Sequence, residues 1–172
     1  MKEYTMQKKL VISLVVLSLV VCLTGCSHST PLQDAMIDYS IMIEIGIPED
    51  LHLTIYYIDP TILTRRPLNQ EDLVTFPGVE VIIVDSEEIA PHWEQLKELS
   101  PSTLQPVQEE SYVNARLYYV FETRDSGKIL EVVISEIHGS VFVNGMEVED
   151  NPIFYKLINP FLSENDRNIL GI

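Results

Sequence analysis

Basic residues are scarce in this chain of 172 residues. It contains 11 lysines and arginines against 26 aspartates and glutamates, and its formal net charge at neutral pH is −15. Nucleic acids and anionic surfaces are bound through clustered cations that neutralise phosphates. The composition therefore argues against nucleic acid as a partner. It favours cationic partners, unless the charge serves solubility alone.

Cysteine is almost absent, since Cys22 and Cys26 are the only two and both lie near the N-terminus. A disulfide between them would require this segment to be retained in an oxidising compartment. A metal site would need more ligands than the nearby His28 supplies. The chain after Cys26 contains no cysteine, which excludes a disulfide framework there.

Long apolar runs are also missing, apart from Leu10–Leu23. Three lysines precede this run, and the small residues Thr24 and Gly25 follow it. As a helix it would extend about 21 Å, which is short of the roughly 30 Å hydrocarbon core of a bilayer. A basic region, an apolar region and a small-residue end are typical of a secretory signal peptide.

The four residues Leu23-Thr24-Gly25-Cys26 resemble the lipobox of bacterial lipoprotein signal peptides. The resemblance implies that diacylglycerol is attached to the Cys26 sulfur and that a peptidase cuts before this residue. A cysteine thiolate is the nucleophile that such an alkylation needs, and two acyl chains give stable membrane anchoring. We therefore expect a signal peptide over residues 1–25 and a protein lipid-anchored at the extracytoplasmic face of the cell membrane.

Residues 26–34 are expected to form the lipidated cysteine and a short polar tether, and residues 35–172 a single domain. The length suits one hydrophobic core. Strands are predicted at "LHLTIYYID", "VEVIIVD" and "ARLYYVFETRDSGKILEVVISEI", the last a hairpin that turns at Asp125-Ser126-Gly127. Asn144-Gly145 predicts a second hairpin.

Helices are predicted between and after these strands. Asn69 can cap a short helix, Ile89–Leu99 carries an apolar face at helical spacing, and Asn151 can cap a last helix. The isoleucine-rich "DYSIMIEIGIPED" is compatible with a strand or with a short apolar segment packed on the domain. The order of elements predicts an α+β domain, with a mostly antiparallel sheet of about four to five strands and helices packed on one face.

Two further segments carry a second resemblance. "GKILEVVI" followed by "VNGMEVEDNPIFYKLINPFL" resembles small, uncharacterised lipoproteins of Gram-positive bacteria. The resemblance implies a lipoprotein but no particular activity or cofactor.

Catalytic and metal-binding motifs are sparse. "EIHGS" places His138 two residues from Ser140, which could pair a base with a nucleophile. "NGMEVEDN" gathers Glu147 and three other oxygen-bearing side chains, without the spaced acids of a calcium loop. We predict no cofactor and no metal. An envelope hydrolase that uses His138 or scattered carboxylates stays an alternative, as does a small solute- or ion-binding lipoprotein.

Arg65 and Arg66 are the candidate partner-binding residues. They form the only adjacent basic pair after Cys26, and they lie in a loop between Pro60 and Pro67. Loops of this kind often carry functional contacts, although the arginines could equally pair with nearby acids.

Two neighbouring pairs, Tyr56-Tyr57 and Tyr118-Tyr119, fall in predicted strands. Because successive strand residues face opposite sides, one tyrosine of each pair should face outward and could line a groove for a peptide or a glycan. The sequence thus predicts a non-catalytic accessory domain. Its partners would be the membrane, through the lipid on Cys26, and an envelope protein or peptide.

Overall fold

The computed structural model describes residues 30–108, 111–136 and 139–172. The predicted signal peptide, Cys26, His28 and His138 lie outside the described residues. Within the described ranges, no helix combines the length and the apolar character needed to cross a membrane.

One six-stranded sheet forms the centre of the α+β fold. Its strands are β1 (His52–Tyr57), β2 (Glu80–Asp85), β3 (Ala115–Thr123), β4 (Gly127–Ser135), β5 (Val141–Val143) and β6 (Met146–Val148). Every neighbouring pair is antiparallel, in the order β2-β1-β3-β4-β5-β6. The prediction of four to five strands was too low, because both three-residue arms of the last hairpin pair into the sheet.

The helices are short. They are α1 (Pro31–Ala35), α2 (Ile37–Ile45), α3 (Gln70–Val74), α4 (Ser86–Ile89), α5 (Trp93–Glu98), α6 (Ile153–Ile158) and α7 (Glu164–Leu170). The helix predicted over Glu87–Leu99 is interrupted by a 3₁₀ turn at Ala90–His92, which contains Pro91. Proline lacks the N–H that a continuous α-helix would use at this position.

The N-terminal boundary of the domain differs from the prediction. Helix α1 begins within the stretch expected to be tether, and Leu32 of this helix is buried in the main hydrophobic cluster. Thr30 and Gln33 form a capping box that fixes its start. The folded part therefore includes residues before 35. The isoleucine-rich segment is helix α2.

Both predicted hairpin turns are confirmed. Gly127 has a φ of 70° at the start of β4, and Asn144 and Gly145 have φ values of 46° and 81° between β5 and β6. A positive φ is costly for most side chains but accessible to glycine and asparagine. These two turns set the order of the last four strands.

Strand β3 is buried on both faces. Leu117, Tyr119 and Phe121 belong to the main cluster, which also contains buried residues of most helices. Tyr118 and Val120 belong to a second cluster, together with Leu73 of α3. Since alternate strand residues face opposite sides, the two clusters lie on opposite faces of the sheet. The prediction that helices pack on one face only is therefore not confirmed, because α3 packs on the other.

The C-terminal helix α7, which the sequence reading missed, is tied to β1 by one hydrogen bond. The Tyr57 hydroxyl donates to the Asp166 carboxylate over 2.6 Å. This bond, with others from Ser163, lowers the pKa of Asp166 below its usual value. A carboxylate whose pKa is lowered by folding stabilises the fold above its unfolded pKa of about 3.9. That stabilisation is lost as the pH falls through the folded pKa.

We expect Tyr57→Phe to lower the free energy of unfolding by about 1 kcal/mol near neutral pH, because the carboxylate loses a donor. The difference from wild type should shrink at a second pH, well below the usual aspartate pKa of about 3.9, because the lowered pKa of Asp166 delays its protonation to more acidic solution. Urea unfolding at the two pH values measures this, with Tyr112→Phe as control because Tyr112 is exposed. An equal loss at both pH values would contradict the assignment.

Candidate functional site

The sheet face opposite the main core carries the candidate site. The strand register aligns Val81, Tyr56 and Tyr118 in one row across β2, β1 and β3. Ile83 and Thr54 lie in the next row with Val120. This face is covered only in part, because α3 packs over β1 and β3 while the β2 side chains Val81 and Ile83 are exposed.

The two predicted tyrosine pairs divide between the faces. Tyr57 and Tyr119 enter the main core. Tyr56 and Tyr118 lie on the opposite face, where their rings stack with centroids 5.7 Å apart and planes 15° apart. Tyr118 is nevertheless only 4% exposed, so the outward-facing aromatic surface is mainly that of Tyr56. Alternation along the strands is as predicted, but the exposure of Tyr118 is not.

A charged pair borders the stacked rings. Lys128 Nζ lies 2.7 Å from Glu131 Oε2 and 5.7 Å from the centre of the Tyr118 ring. The Tyr118 hydroxyl donates to the same carboxylate over 3.3 Å. Burial raises the pKa of Tyr118, and the hydrogen bond to Glu131 raises the pKa of Lys128. The tyrosine therefore stays neutral and the lysine stays charged at physiological pH.

Lys128 and Glu131 were not singled out from the sequence, for a structural reason. In a regular strand, residues three apart face opposite sides. The pairing of β3 with β4 shifts between Phe121 and Glu122, and such a bulge adds a residue to one strand. The bulge brings Lys128 and Glu131 to one face, and no local motif in the sequence marks it.

Tyr56, Tyr118 and Lys128 line an open groove of about 320 Å³. The apolar surface of the groove comes from Tyr56, Tyr118, Val74 and Val120. Its polar and charged groups come from Gln70, Glu71, Thr75, Glu122 and Lys128. A concave apolar surface with a few fixed polar groups is the usual form of a binding site. The groove has room for one or two side chains of a partner.

Arg65 and Arg66 line a neighbouring cavity of about 440 Å³. Thr75 lines both cavities, so the arginines and the tyrosine groove meet at the end of α3. Arg66 Nη2 lies 2.7 Å from Asp72 Oδ1, which is the pairing with a nearby acid that the sequence left open. Arg65 is exposed. The structure thus brings the predicted arginines beside the tyrosine groove.

The Ser140 hydroxyl lies in a structural hydrogen-bond network. Ser140 and the Ser111 backbone N–H both donate to the carboxylate of Glu147, a buried residue of β6. Burial alone would raise the pKa of Glu147, but these hydrogen bonds bring it below its usual value. Because His138 lies outside the described residues, the structure does not test the predicted His138–Ser140 pair. The carboxylate connects the β4–β5 loop, β6 and the segment before β3.

The acidic stretch around Glu147 is not gathered into a metal site. Glu147 faces Ser111 and Ser140, while Asn151 accepts a hydrogen bond from the Ile153 backbone N–H. The N-cap of α6 is Pro152 and not the predicted Asn151. Among the residues that the structure describes, no group of three or more histidine, cysteine, aspartate or glutamate side chains is placed to hold a metal ion.

Comparison with protein-family models, with curated protein sequences and with solved structures finds no match to this chain.

Glu147→Gln is expected to lower the free energy of unfolding by about 1–3 kcal/mol, because a buried carboxylate that accepts hydrogen bonds from Ser111 and Ser140 becomes a neutral amide. Chemical denaturation of the variant and of Glu149→Gln measures this. Glu149 is exposed and serves as the matched control. If Glu147→Gln lowers the free energy of unfolding no more than the control does, the Glu147 carboxylate does not stabilise the β4–β5 loop and the segment before β3.

Proposed function

We propose that this protein is a lipid-anchored, extracytoplasmic accessory domain that binds a protein or peptide partner at the cell envelope. The observation that carries the proposal is the aromatic groove beside α3, where Tyr56 and Tyr118 stack next to the Lys128–Glu131 pair.

The chemistry of the groove favours a peptide ligand. Aromatic rings provide contact area at a low entropic cost, and rigid tyrosines are frequent anchors of protein interfaces. Glu71 and Glu122 stand beside the apolar surface as acceptors, and Lys128 as a donor. Glu71, Glu122 and Lys128 form the charged rim of the groove. A partner could insert an apolar side chain into the groove and pair its neighbouring polar groups with this rim.

Arg65 extends the proposed surface. It lies beside the groove in an otherwise acidic protein, and the neighbouring Leu63 is 95% exposed. A partner that covers both cavities would bury this leucine and meet a guanidinium with five donors. Arg66 would contribute less, because its guanidinium already binds Asp72.

Attachment through Cys26 would hold α1 close to the membrane. The described chain begins at Thr30, and the intervening residues can span about 14 Å at most when fully extended. Helix α2 follows directly and exposes Ile37, Ile41 and Ile45, which are spaced four residues apart on one side of the helix. An anchored Cys26 would hold this apolar stripe next to the bilayer surface.

We expect the intact mass of the membrane-extracted protein to match a chain that starts at Cys26 and carries diacylglycerol. Cys26→Ala should retain residues 1–25 and lose the lipid, whereas Cys22→Ala should be processed like the wild type because Cys22 leaves with the signal. A wild-type mass with an unmodified Cys26, or with Met1 retained, would contradict the anchor.

A photoreactive phenylalanine analogue in place of Tyr56 should crosslink the partner in intact cells. The same analogue at Tyr112, which is exposed but lies outside the groove, is the control. We expect a discrete adduct at position 56 that is weaker by about tenfold when Glu122 is also changed to lysine, because the rim charge reverses.

Identical adducts from positions 56 and 112 would contradict a binding role for the groove, as would the absence of any adduct at position 56. An adduct that resists proteases but yields to glycosidases would replace the peptide partner with a glycan.

A further inference from the structure

The two edges of the sheet differ in whether another segment of the chain covers them. At the β6 edge, Pro106 forms a bridge with Val148. The Val107 N–H donates to the Glu147 carbonyl over 3.1 Å, and the Glu149 N–H donates to the Gln105 carbonyl over 2.8 Å. A proline-containing segment of the chain thus covers this edge, as proteins often do to prevent unwanted strand pairing.

The β2 edge has no such cover. Strand β2 pairs with β1 alone, and within the described ranges no backbone hydrogen bond joins β2 to any other segment. Because each strand offers backbone groups on both sides, the outer edge of β2 presents N–H and C=O groups ready for another strand. Its six residues contain neither proline nor lysine, the residues that usually block such edges.

The exposed side chains of β2 are apolar at its centre and acidic at its ends. Val81 is 47% and Ile83 70% exposed. Glu80 and Asp85 end the strand, and Glu87 and Glu88 follow, all of them exposed. An added strand would therefore meet an apolar centre between two acidic ends.

We infer that the outer edge of β2 receives an extended peptide segment of a partner, which adds a seventh strand through backbone hydrogen bonds and carries basic residues on either side of an apolar centre. The inference rests on the proposed peptide-binding function and specifies where and how the partner binds. Strand addition of this kind takes its affinity from the backbone and its specificity from alternate side chains.

The charge of the chain favours a basic partner over a second copy of the same edge. Two β2 strands paired with each other would bring Glu80 and Asp85 of both copies together, in molecules that each carry a net charge of −15. Like charges across a strand pair are destabilising. A basic segment instead gains from the same charges and associates faster.

The continuity of the open face supports this placement. Val81 lies beside Tyr56 in the register, and Tyr56 lines the aromatic groove. Side chains that an added strand directs toward this face would pack on Val81 and Ile83 and extend the surface that begins at the groove. One partner can thereby use both features.

The test uses the full-length chain in mild detergent and short synthetic peptides of alternating valine and threonine. One peptide has lysine at its ends, and the other has glutamate at its ends. We expect the lysine-ended peptide to bind, and the glutamate-ended peptide to bind at least about tenfold more weakly. Methylating alternate backbone nitrogens of the lysine-ended peptide should weaken binding by a similar factor, because it removes the donors along one edge. Fluorescence anisotropy measures all three.

The variant is Ile83→Lys, which places a cation at the centre of the edge, and the control is Tyr112→Lys, at an exposed residue outside the proposed binding surfaces. We expect about tenfold weaker binding of the lysine-ended peptide to the first and unchanged binding to the second, with similar melting temperatures for both. Ile83 and Tyr112 are both more than half exposed, so neither substitution is expected to unfold the protein.

Binding that survives both Ile83→Lys and backbone methylation would overturn strand addition while leaving the proposed peptide-binding function intact. Failure of the lysine-ended peptide to bind at all would also overturn it, and crosslinking at position 56 would then decide the proposed function separately. Concentration-dependent dimerisation that Ile83→Lys abolishes would replace the partner strand with a second copy of this chain.

Discussion

The double burial of β3 is the constraint on which the rest of the structure depends. Leu117, Tyr119 and Phe121 bury one side of the strand under the helices, and Tyr118 and Val120 bury the other side under α3. A one-residue slip in register would exchange these two sets of side chains. The alternation along β3 therefore fixes the main core and, at the same time, the position of Tyr118 beneath the groove.

The helices cover the two faces unequally, and this inequality creates the candidate surface. The main cluster draws on buried residues of six helices, whereas α3, with five residues, is the helix that contributes a buried side chain to the second cluster in the described chain. Beyond the reach of α3, the face stays open from Tyr56 to the β2 edge. That opening places the aromatic groove beside the unpaired strand edge, because Tyr56 of the groove pairs with Val81 of β2.

Local signals in the sequence were sufficient for the two hairpin turns and for the start of α3, but not for the surface. Asn69 caps α3 and Asn144-Gly145 turns the last hairpin, because both depend on neighbouring backbone groups alone. The exposure of Val81 and Ile83 depends on β2 lying at an edge of the sheet. A short apolar run predicts a strand, but it does not distinguish an edge strand from a central one.

Tertiary packing decides two further features, the helical state of α2 and the Lys128–Glu131 pair, whereas a local sequence signal marks α7. Isoleucines favour strands, yet the segment Ile37–Ile45 is helical because Tyr39 and Met42 pack into the core. The Lys128–Glu131 pair needs a bulge that the sequence does not mark. Helix α7 was predictable, since Ser163 and Asp166 form a capping box and Gly171 ends it in a left-handed conformation.

The central claim is that the open β2 edge and its adjoining face are covered by a partner at the envelope. Amide hydrogen exchange of the full-length protein, compared between isolated envelope membranes and the purified chain in detergent, tests it most directly. We expect the Glu80–Asp85 amides to exchange at least about tenfold more slowly in the membranes, and the central strand Gly127–Ser135 to exchange equally in both. Equal exchange of the β2 amides in the two preparations would contradict it.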